Sequence, residues 1–476
     1  MITSARMAAV DRNAAALGVP QKQLMESSGN AVARTVREVA SPGDGVAIVA
    51  GRGNNGGDAF VAARFLDGFD PTITLLGRPE SISTAIAREN WEALQTAEYD
   101  TEICQDSAAL DLGSPDLVVD AVLGTGVSGE PREPERSAIE AINATEATVV
   151  AVDVPSGLDA DTGEAAGVAV EADHVVTFHD LKPGLADHEA VTVAEIGIPT
   201  AAETFVGPGD LGVLTRDPLA HKGDFGRVFV IGGGPYTGAP ALAAQAALRA
   251  GADLAFVASP ESVADRIQGY SEDLIVEPVP GDRLTPQPVP TLLDRASAMD
   301  VVIIGPGLGS DERTAAAVHE FLAGFDGRAV VDADAIEVVP EVETAATLVC
   351  TPHQGELREM GGPSADAWRE RAAAVEDYAA SLGHTLLVKG AYDVVSDGAE
   401  TRVNRTGNPG MTVGGTGDIL AGITGALLAR LDPLQAAAIA AYANGRAGDE
   451  IVDEVGYGLL ASDLLPELPP VLWRDR

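Results

Sequence analysis

Lysine is scarce in this chain, at four of 476 residues (22, 182, 222 and 389) against 27 arginines. Cysteine is scarcer still: Cys104 and Cys350 are far apart and lack metal-ligand spacing, which argues against a disulfide framework or a zinc site and leaves buried free thiols as the expectation. No apolar run approaches the roughly 18 to 20 residues of a membrane helix. The opening MITSARMAAVDRNAAALG has neither a hydrophobic signal core nor a cleavage site, so a cytoplasmic location is expected. Basic charge is also short, with 31 basic against 72 acidic residues and a net charge of -41, which argues against nucleic acid and anionic membrane as partners. An acidic, lysine-poor surface suits concentrated salt, where screening acts over only ~3 Å at 1 M. A source in an extreme halophile is therefore expected, with an ordinary acidic cytosolic protein as the alternative. Finally, no G-x-x-x-x-G-K-[ST] is present, which excludes a Walker phosphate loop.

What is present is an alternation of short apolar runs with alanine-rich helical stretches, the pattern of parallel sheets covered on both faces. The runs are VAIVA (46–50), TITLLG (72–77), LVVDAVLG (117–124), TVVAVDVP (148–155) and HVVTFHD (174–180). They resume as GRVFVIGGG (226–234), DLAFVAS (253–259), DVVIIGPG (300–307), RAVVDAD (328–334), ATLVCTP (346–352) and HTLLVKG (384–390). Between the two sets, residues 195–226 are rich in Gly and Pro and lack helical periodicity, so a domain boundary is expected near residue 210. The length also suits two or three domains. The fold class is α/β: a Rossmann-like three-layer α/β/α domain over residues 1–210, then a second α/β domain over 211–476.

In the first domain, VAIVAGRGNNGGDAF places a literal G-x-G-x-x-G (Gly51, Gly53, Gly56) directly after a strand. Gly124, Gly126 and Gly129 match the same pattern, and Asp70 precedes the second strand where a dinucleotide fold needs an acidic residue to close it. A standard NAD dehydrogenase is therefore rejected. Asn54, Asn55, Gly56, Gly57 and Asp58 instead set amides and a carboxylate where backbone approaches a ligand, and such oxygens suit hard cations. Asp120, Asp153 and Ser156 should gather at the same carboxyl edge, where open sheets bind ligands. The plainer possibility is a set of separate strand-ending turns.

GRGNNGGDAF, VVDAVLGTGVSG, AVDVPSGLDADTG and TFHDLKPG together resemble the YjeF N-terminal family of NAD(P)H-hydrate epimerases, over most of residues 1–205. The resemblance implies a potassium ion held by Asn55, Asp120 and Ser156. It also implies a substrate site made of Asn54 to Asp58, of Gly124, Thr125, Gly126, Val127, Ser128, Gly129 and Glu130, and of Asp153. Arg52 and Ala59 stand where the family usually has Pro and Gly. Epimerising a hydrated nicotinamide at C6 needs proton transfer and stabilisation of an iminium-like species, both within reach of a carboxylate, and Asp153 is assigned that role. Lys182 is either a substrate contact or a turn lysine.

In the second domain, NPGMTVGGTGDILAG (408–422) is a glycine turn entering a helix, which presents backbone N–H groups to an anion. Asp418 stands where a phosphate loop carries lysine. A carboxylate there does not bind phosphate; it takes a proton from a hydroxyl that attacks phosphate, while the amides of Gly414, Gly415, Thr416 and Gly417 stabilise transferred charge. The alternative is an aspartate that complements a helix dipole. This stretch resembles the ribokinase-like fold. With HKGDFGRVFVIGGGPYTGAPALAAQAALRAGA, IIGPGLG, VVDADAI, CTPHQGEL, LLVKGAYDVV and GLLASDL it resembles the YjeF C-terminal family of nucleotide-dependent NAD(P)H-hydrate dehydratases, from about residue 216 to 475.

That resemblance implies that Asp418 takes the hydroxyl proton of the hydrate. Ala239, Gly309 and His353 match hydrate contacts, and Lys389, Gly390, Ala391, Tyr392, Asp393 and Gly417 match positions around the nucleotide phosphates. His353 also reads as a helix cap, and Lys222 with Asp224 as a tight turn. Expected substrates are NAD(P)H hydrate and ADP, with potassium in the first domain and magnesium accompanying ADP in the second. A homo-oligomer is the expected assembly. Two other readings stay open: a vitamin or sugar kinase of the ribokinase type, and a non-catalytic binding module in the first domain.

Overall fold

The computed structural model describes residues 1–106, 110–126 and 129–474. The chain divides into two compact units, Met1–Ala202 and Glu203–Arg476. The division falls before residue 210 because Phe205 bridges to Val403 and Val206 N donates to the Val403 carbonyl at 2.9 Å. The Gly/Pro-rich connector thus already meets the second sheet at residues 205 and 206.

The first unit is built on β1 (Val46–Ala50), β2 (Thr72–Leu76), β3 (Thr101–Cys104), β4 (Leu117–Ala121), β5 (Thr148–Val152), β6 (His174–Phe178) and β7 (Val191–Ala194). They form one sheet in the order β3-β2-β1-β4-β5-β6-β7, with every pairing parallel. Successive residues of a strand face opposite ways. Ile48, Val119, Val150 and Val176 accordingly pack into one core with Val32, Val36 and Phe60, while Val49, Val118 and Val149 pack into another with Ile139 and Ile142. Both faces being covered, the strands read as continuous apolar runs.

The second unit follows the same logic with β8 (Arg227–Ile231), β9 (Leu254–Pro260), β10 (Ile275–Val279), β11 (Val301–Ile304), β12 (Arg328–Val331), β13 (Thr347–Cys350), β14 (Thr385–Val388), β15 (Asp393–Ser396) and β16 (Thr401–Asn404). The order is β10-β9-β8-β11-β12-β13-β14-β15-β16, and only the last two pairings are antiparallel. One face packs on the helices Gly238–Ala250, Thr416–Leu428 and Pro433–Val455, the other on Glu312–Gly324 and Trp368–Leu382.

The strands without an apolar run in the sequence are chiefly those at sheet edges. Of β3 only Cys104 is buried, of β7 only Ala194, and of β10 only Val279. Strands β15 and β16 form a hairpin whose register the pattern of short runs did not suggest.

In each unit the strand order reverses beside a central strand, at β1/β4 and at β8/β11, the place where open sheets bind ligands beyond their carboxyl edge. At Gly305, directly after β11, φ is 126°, and a Cβ would lie 1.7 Å from the Asp332 carbonyl oxygen. Gly305→Ala should therefore destabilise the second unit by about 3 kcal/mol or more, from backbone strain plus overpacking. Calorimetry should show the second unit's transition at lower temperature and that of the first unchanged.

Candidate active sites

In the first unit, a cavity of about 880 Å³ opens at the carboxyl edge of the sheet, lined among others by Asn54, Asn55, Asp58, Gly124, Asp153 and Asp11. Thr125, Gly126, Gly129 and Glu130 also line it; Val127 and Ser128 lie outside the described residues. Gly56 and Gly57 serve packing instead. A Cβ on Gly56 would sit 2.1 Å from the Gly51 carbonyl oxygen, and one on Gly57 would sit 2.7 Å from Met25 Cε. These glycines let helix Asn54–Arg64 start against the end of β1, which turns Asn55 and Asp58 inward.

Behind the cavity wall, Asp120 at the end of β4 is fully buried. Its Oδ2 accepts from Ser156 N at 2.8 Å, and its Oδ1 accepts from Ser156 Oγ at 2.6 Å and from Val122 N at 3.3 Å. Asn55 Nδ2 donates to the Leu123 carbonyl at 2.8 Å, and Ser156 Oγ lies 3.2 Å from that same oxygen. The Asp120 carboxyl, the Ser156 hydroxyl, the Leu123 carbonyl and the Asn55 amide thus converge on one polar nest. Burial pushes the Asp120 carboxyl up to about 6 despite its hydrogen bonds.

Asp153 sits at φ 63°, a left-handed conformation uncommon for a residue with a side chain. Its Oδ1 accepts from Lys182 Nζ at 2.8 Å, Thr177 Oγ1 at 3.1 Å and Phe178 N at 3.3 Å. Lys182 is no ordinary turn lysine: it is fully buried, and Nζ also donates to the Phe178 carbonyl at 2.7 Å. Two further carboxyls share the neighbourhood. Burial, then Asp153 and Asp11, hold Asp58 well above the usual carboxylate range. Burial and Asp153 push Asp11 up to about 6, against the pull of Lys182. Asp11 was not legible as a site residue, because nothing marks it among the polar positions of its helix.

In the second unit, Gly415 (φ 103°) caps the helix Thr416–Leu428, and Asp418 lies in its first turn. Thr416 Oγ1 turns back to the Met411 carbonyl at 3.0 Å and so fixes the loop. Lys389, at the end of β14, reaches the same spot, since a Cβ on Gly417 would lie 3.5 Å from Lys389 Nζ. That ammonium is 3.0 Å from Asp332 Oδ1 and 3.8 Å from Glu356 Oε2. Burial works against its charge, but Asp332, Glu356 and Asp418 outweigh it and hold the lysine above its usual value. Asp418 is pushed up to about 7 by burial and by Asp332 and Asp334, with Lys389 opposing. The residues added by the structure are Asp332 and Asp334, within the VVDADAI stretch, and Glu356.

Around this pair, Gly309 N donates to Asp334 Oδ2 at 2.8 Å, and Ala239 opens the helix Gly238–Ala250 beside Gly307. His353 caps the helix Gln354–Glu359, its Nδ1 accepting from Gly355 N at 2.9 Å and Glu356 N at 3.0 Å. With Nδ1 an acceptor, a neutral ring carries its proton on Nε2, and the side chain is 60% exposed, so one imidazole both caps a helix and offers a donor outward. Asp393 spends its oxygens on Gly390 N and Asn404 Nδ2, both at 2.9 Å, and therefore shapes the loop Lys389–Asp393. Ala391 is exposed and Tyr392 partly so, the Tyr392 carbonyl being held by Arg371 Nη2 at 2.8 Å. His221 to Asp224 is a tight turn, closed by His221 N on Asp224 Oδ2.

Comparison with known proteins agrees with both halves. Residues 21–184 match the YjeF-related protein N-terminus family, and residues 228–470 match the NAD(P)H-hydrate dehydratase family. The chain is 45% identical to the bifunctional NAD(P)H-hydrate repair enzyme Nnr of Pyrobaculum aerophilum, over 99% of this chain and 98% of that one. It is 43% identical to the protein of the same name from Methanothermobacter thermautotrophicus, over 98% and 94%. The chain belongs to the bifunctional NAD(P)H-hydrate repair enzyme family. A ribokinase-like superfamily protein of Enterococcus faecalis shares the second unit's fold, with a TM-score of 0.51 and 27% identity over 56% of this chain and 95% of that one. The second unit is therefore ribokinase-like.

The buried Asp120 carries a sign-determined pH dependence. A carboxyl raised on folding binds its proton more tightly in the folded state, so its contribution to stability is lost as pH climbs from about 4 to about 6. Relative to Asp120→Asn in potassium-free buffer, the wild type should lose about 3 kcal/mol between pH 4 and pH 7, at 1.36 kcal/mol per pKa unit. Unfolding of the first unit at both pH values measures it.

Proposed function

We propose that the chain repairs hydrated nicotinamide cofactors: the first unit interconverts R and S NAD(P)H hydrate, and the second dehydrates the S form using ADP, giving AMP and phosphate. The observation that carries this reading is Asp418 beside Lys389 at a glycine-capped helix N-terminus. It is a base poised near neutrality next to a cation and an anion-holding turn.

In the second unit, Asp418 takes the proton of the C6 hydroxyl, whose oxygen attacks the terminal phosphorus of ADP as the bond to AMP breaks. Lys389 and the amides of Gly414 to Gly417 stabilise the charge on the transferred group. The C6–O bond then breaks, phosphate leaves with the electron pair, a proton departs from C5, and the ring double bond is restored. Ala239, Gly309 and His353 would line the hydrate, and Lys389 to Asp393 would face the nucleotide. Magnesium would arrive on the nucleotide phosphates, where such an ion keeps several waters and takes few carboxylates; Asp334 has a second oxygen to offer it.

In the first unit, Asp153 would stabilise the iminium-like species at C6. We assign potassium to Asn55, Asp120 and Ser156, because their nest supplies hard oxygens and one buried negative charge that a monovalent cation would neutralise. The reading extends to a cytoplasmic homo-oligomer from a halophile. The halophilic part is supported by the net charge of -41 and the four lysines. Among the described residues, no helix is long and apolar enough to cross a membrane.

Two measurements test these assignments. With mixed hydrate epimers, ADP and magnesium, reduced-nicotinamide absorbance should recover completely with stoichiometric AMP and phosphate. Asp418→Asn should abolish recovery, Asp153→Asn should abolish only recovery from the R form beyond its spontaneous rate, and the wild-type dehydration rate should fall below about pH 7 as Asp418 is protonated. Absence of recovery with ADP or ATP overturns the dehydratase. Thermal stability should rise with molar KCl and NaCl alike through charge screening. At millimolar salt, potassium alone should stabilise the wild type but not Asp120→Asn; equal effects of the two ions there would remove potassium from this nest.

A further inference from the structure

The epimerase reading leaves a proton unassigned. Inverting C6 through an iminium-like species needs an acid to carry off the hydroxyl as water and a base to take a proton from the water that returns. Asp153 is poorly placed to do both, because its Oδ1 is already occupied as acceptor from Lys182 Nζ, Thr177 Oγ1 and Phe178 N.

Asp11 lies on the N-terminal helix Ser4–Ala16, which buries Met7, Val10 and Ala14. Met7 and Asp11 are one helical turn apart, so they share a face, and both line the cavity with Asp58 and Asp153. The helix is pinned to this spot from outside itself. Ile2 N donates to the Leu181 carbonyl at 2.9 Å, next to Lys182, and Ser4 N donates to Asp161 Oδ1 at 2.8 Å. Asp58, Asp153 and Lys182 are the charged groups that act on Asp11 most closely, and Arg52, Glu130, Arg132 and Glu135 line the same cavity.

We propose that Asp11 is the acid–base group of the first unit's reaction. It gives its proton to the leaving C6 hydroxyl and recovers one from the water that adds to the opposite face. This rests on the epimerase reading above. In the first half-step the C6–O bond breaks with its electron pair on oxygen, the Asp11 proton completes a water molecule, and the N1 lone pair forms the N1=C6 bond. In the second, water oxygen bonds to C6, the π pair returns to N1, and the surplus proton goes to the Asp11 carboxylate. No redox change and no co-reactant beyond water is involved. Asp153, held by Lys182, faces the cation throughout. Asp58 is buried in the wall, whereas Asp11 is only half-buried and lines the same cavity, so it is the carboxyl placed to exchange a proton with water.

The test uses the full chain and pure R hydrate, with the spontaneous rate subtracted. Asp11→Asn should lower epimerisation by about 100-fold or more, the usual range for a lost acid–base group, and should abolish a rate dependence on a group titrating near pH 6. Asp11→Ala should regain rate when acetate is added, a rescue that a purely structural role would not give. The proposal is overturned if the wild type epimerises and Asp11→Asn stays within about fivefold of it. It is equally overturned if Asp11→Asn is slow with the wild-type pH profile and acetate does nothing for Asp11→Ala. A wild type that does not epimerise at all sinks the epimerase reading first, and this one with it.

Discussion

At the carboxyl edge of both sheets, two segments of backbone approach so closely that no side chain fits between them. A Cβ on Gly51 would meet the Val122 carbonyl oxygen at 2.0 Å, and one on Gly305 would meet the Asp332 carbonyl oxygen at 1.7 Å. The first contact joins the loops after β1 and β4, where strand order reverses, and the second joins the loops after the neighbouring strands β11 and β12. Everything chemical depends on that closeness. It brings Asn55, on the helix after β1, against the Leu123 carbonyl in the first unit, and it sets Asp332 beside the end of β11 in the second.

Once backbone has drawn the loops together, the carboxylates they carry lose water. Burial therefore sets the electrostatics of both sites, as the first cause of the raised values of Asp58, Asp120 and Asp11 in one unit and of Asp418 in the other. A desolvated carboxyl is a cost to stability but an asset to proton transfer, because its affinity for the proton moves toward neutrality. Each site also sets an ammonium against one of its carboxylates: Lys182 on Asp153, Lys389 on Asp332.

Legibility in the sequence followed the same physics. Interior strands such as TVVAV and VVII announce themselves because both faces are buried, whereas TEIC, VTVA and IVEPV bury one residue each and carry no apolar run. Motif residues at strand ends were readable because glycine, asparagine and aspartate cluster there for geometric reasons. Asp11 was not, because its role arises from a helix docked by contacts to residues 161 and 181, and no local pattern encodes such a distance along the chain. His353 was readable both as a cap and as a contact, and the geometry shows why the two do not compete: one ring nitrogen serves the helix, and the other faces outward.

The distribution of lysine ties surface to site. This chain uses arginine for most of its positive charge, yet it keeps lysine at the buried position 182 and the largely covered position 389. Arginine offers a flat fork of five donors that stays charged and demands planar partners, whereas lysine ends in a compact ammonium that fits a narrow cavity and bonds in several directions. Lys182 Nζ meets a carboxylate and a carbonyl with no exposed surface, and Lys389 Nζ meets two carboxylates beside a turn of small residues. A guanidinium in either place would displace the neighbours that make the site. At these two positions, unlike at the exposed Lys22 and Lys222, a small cation is what the surrounding geometry accommodates.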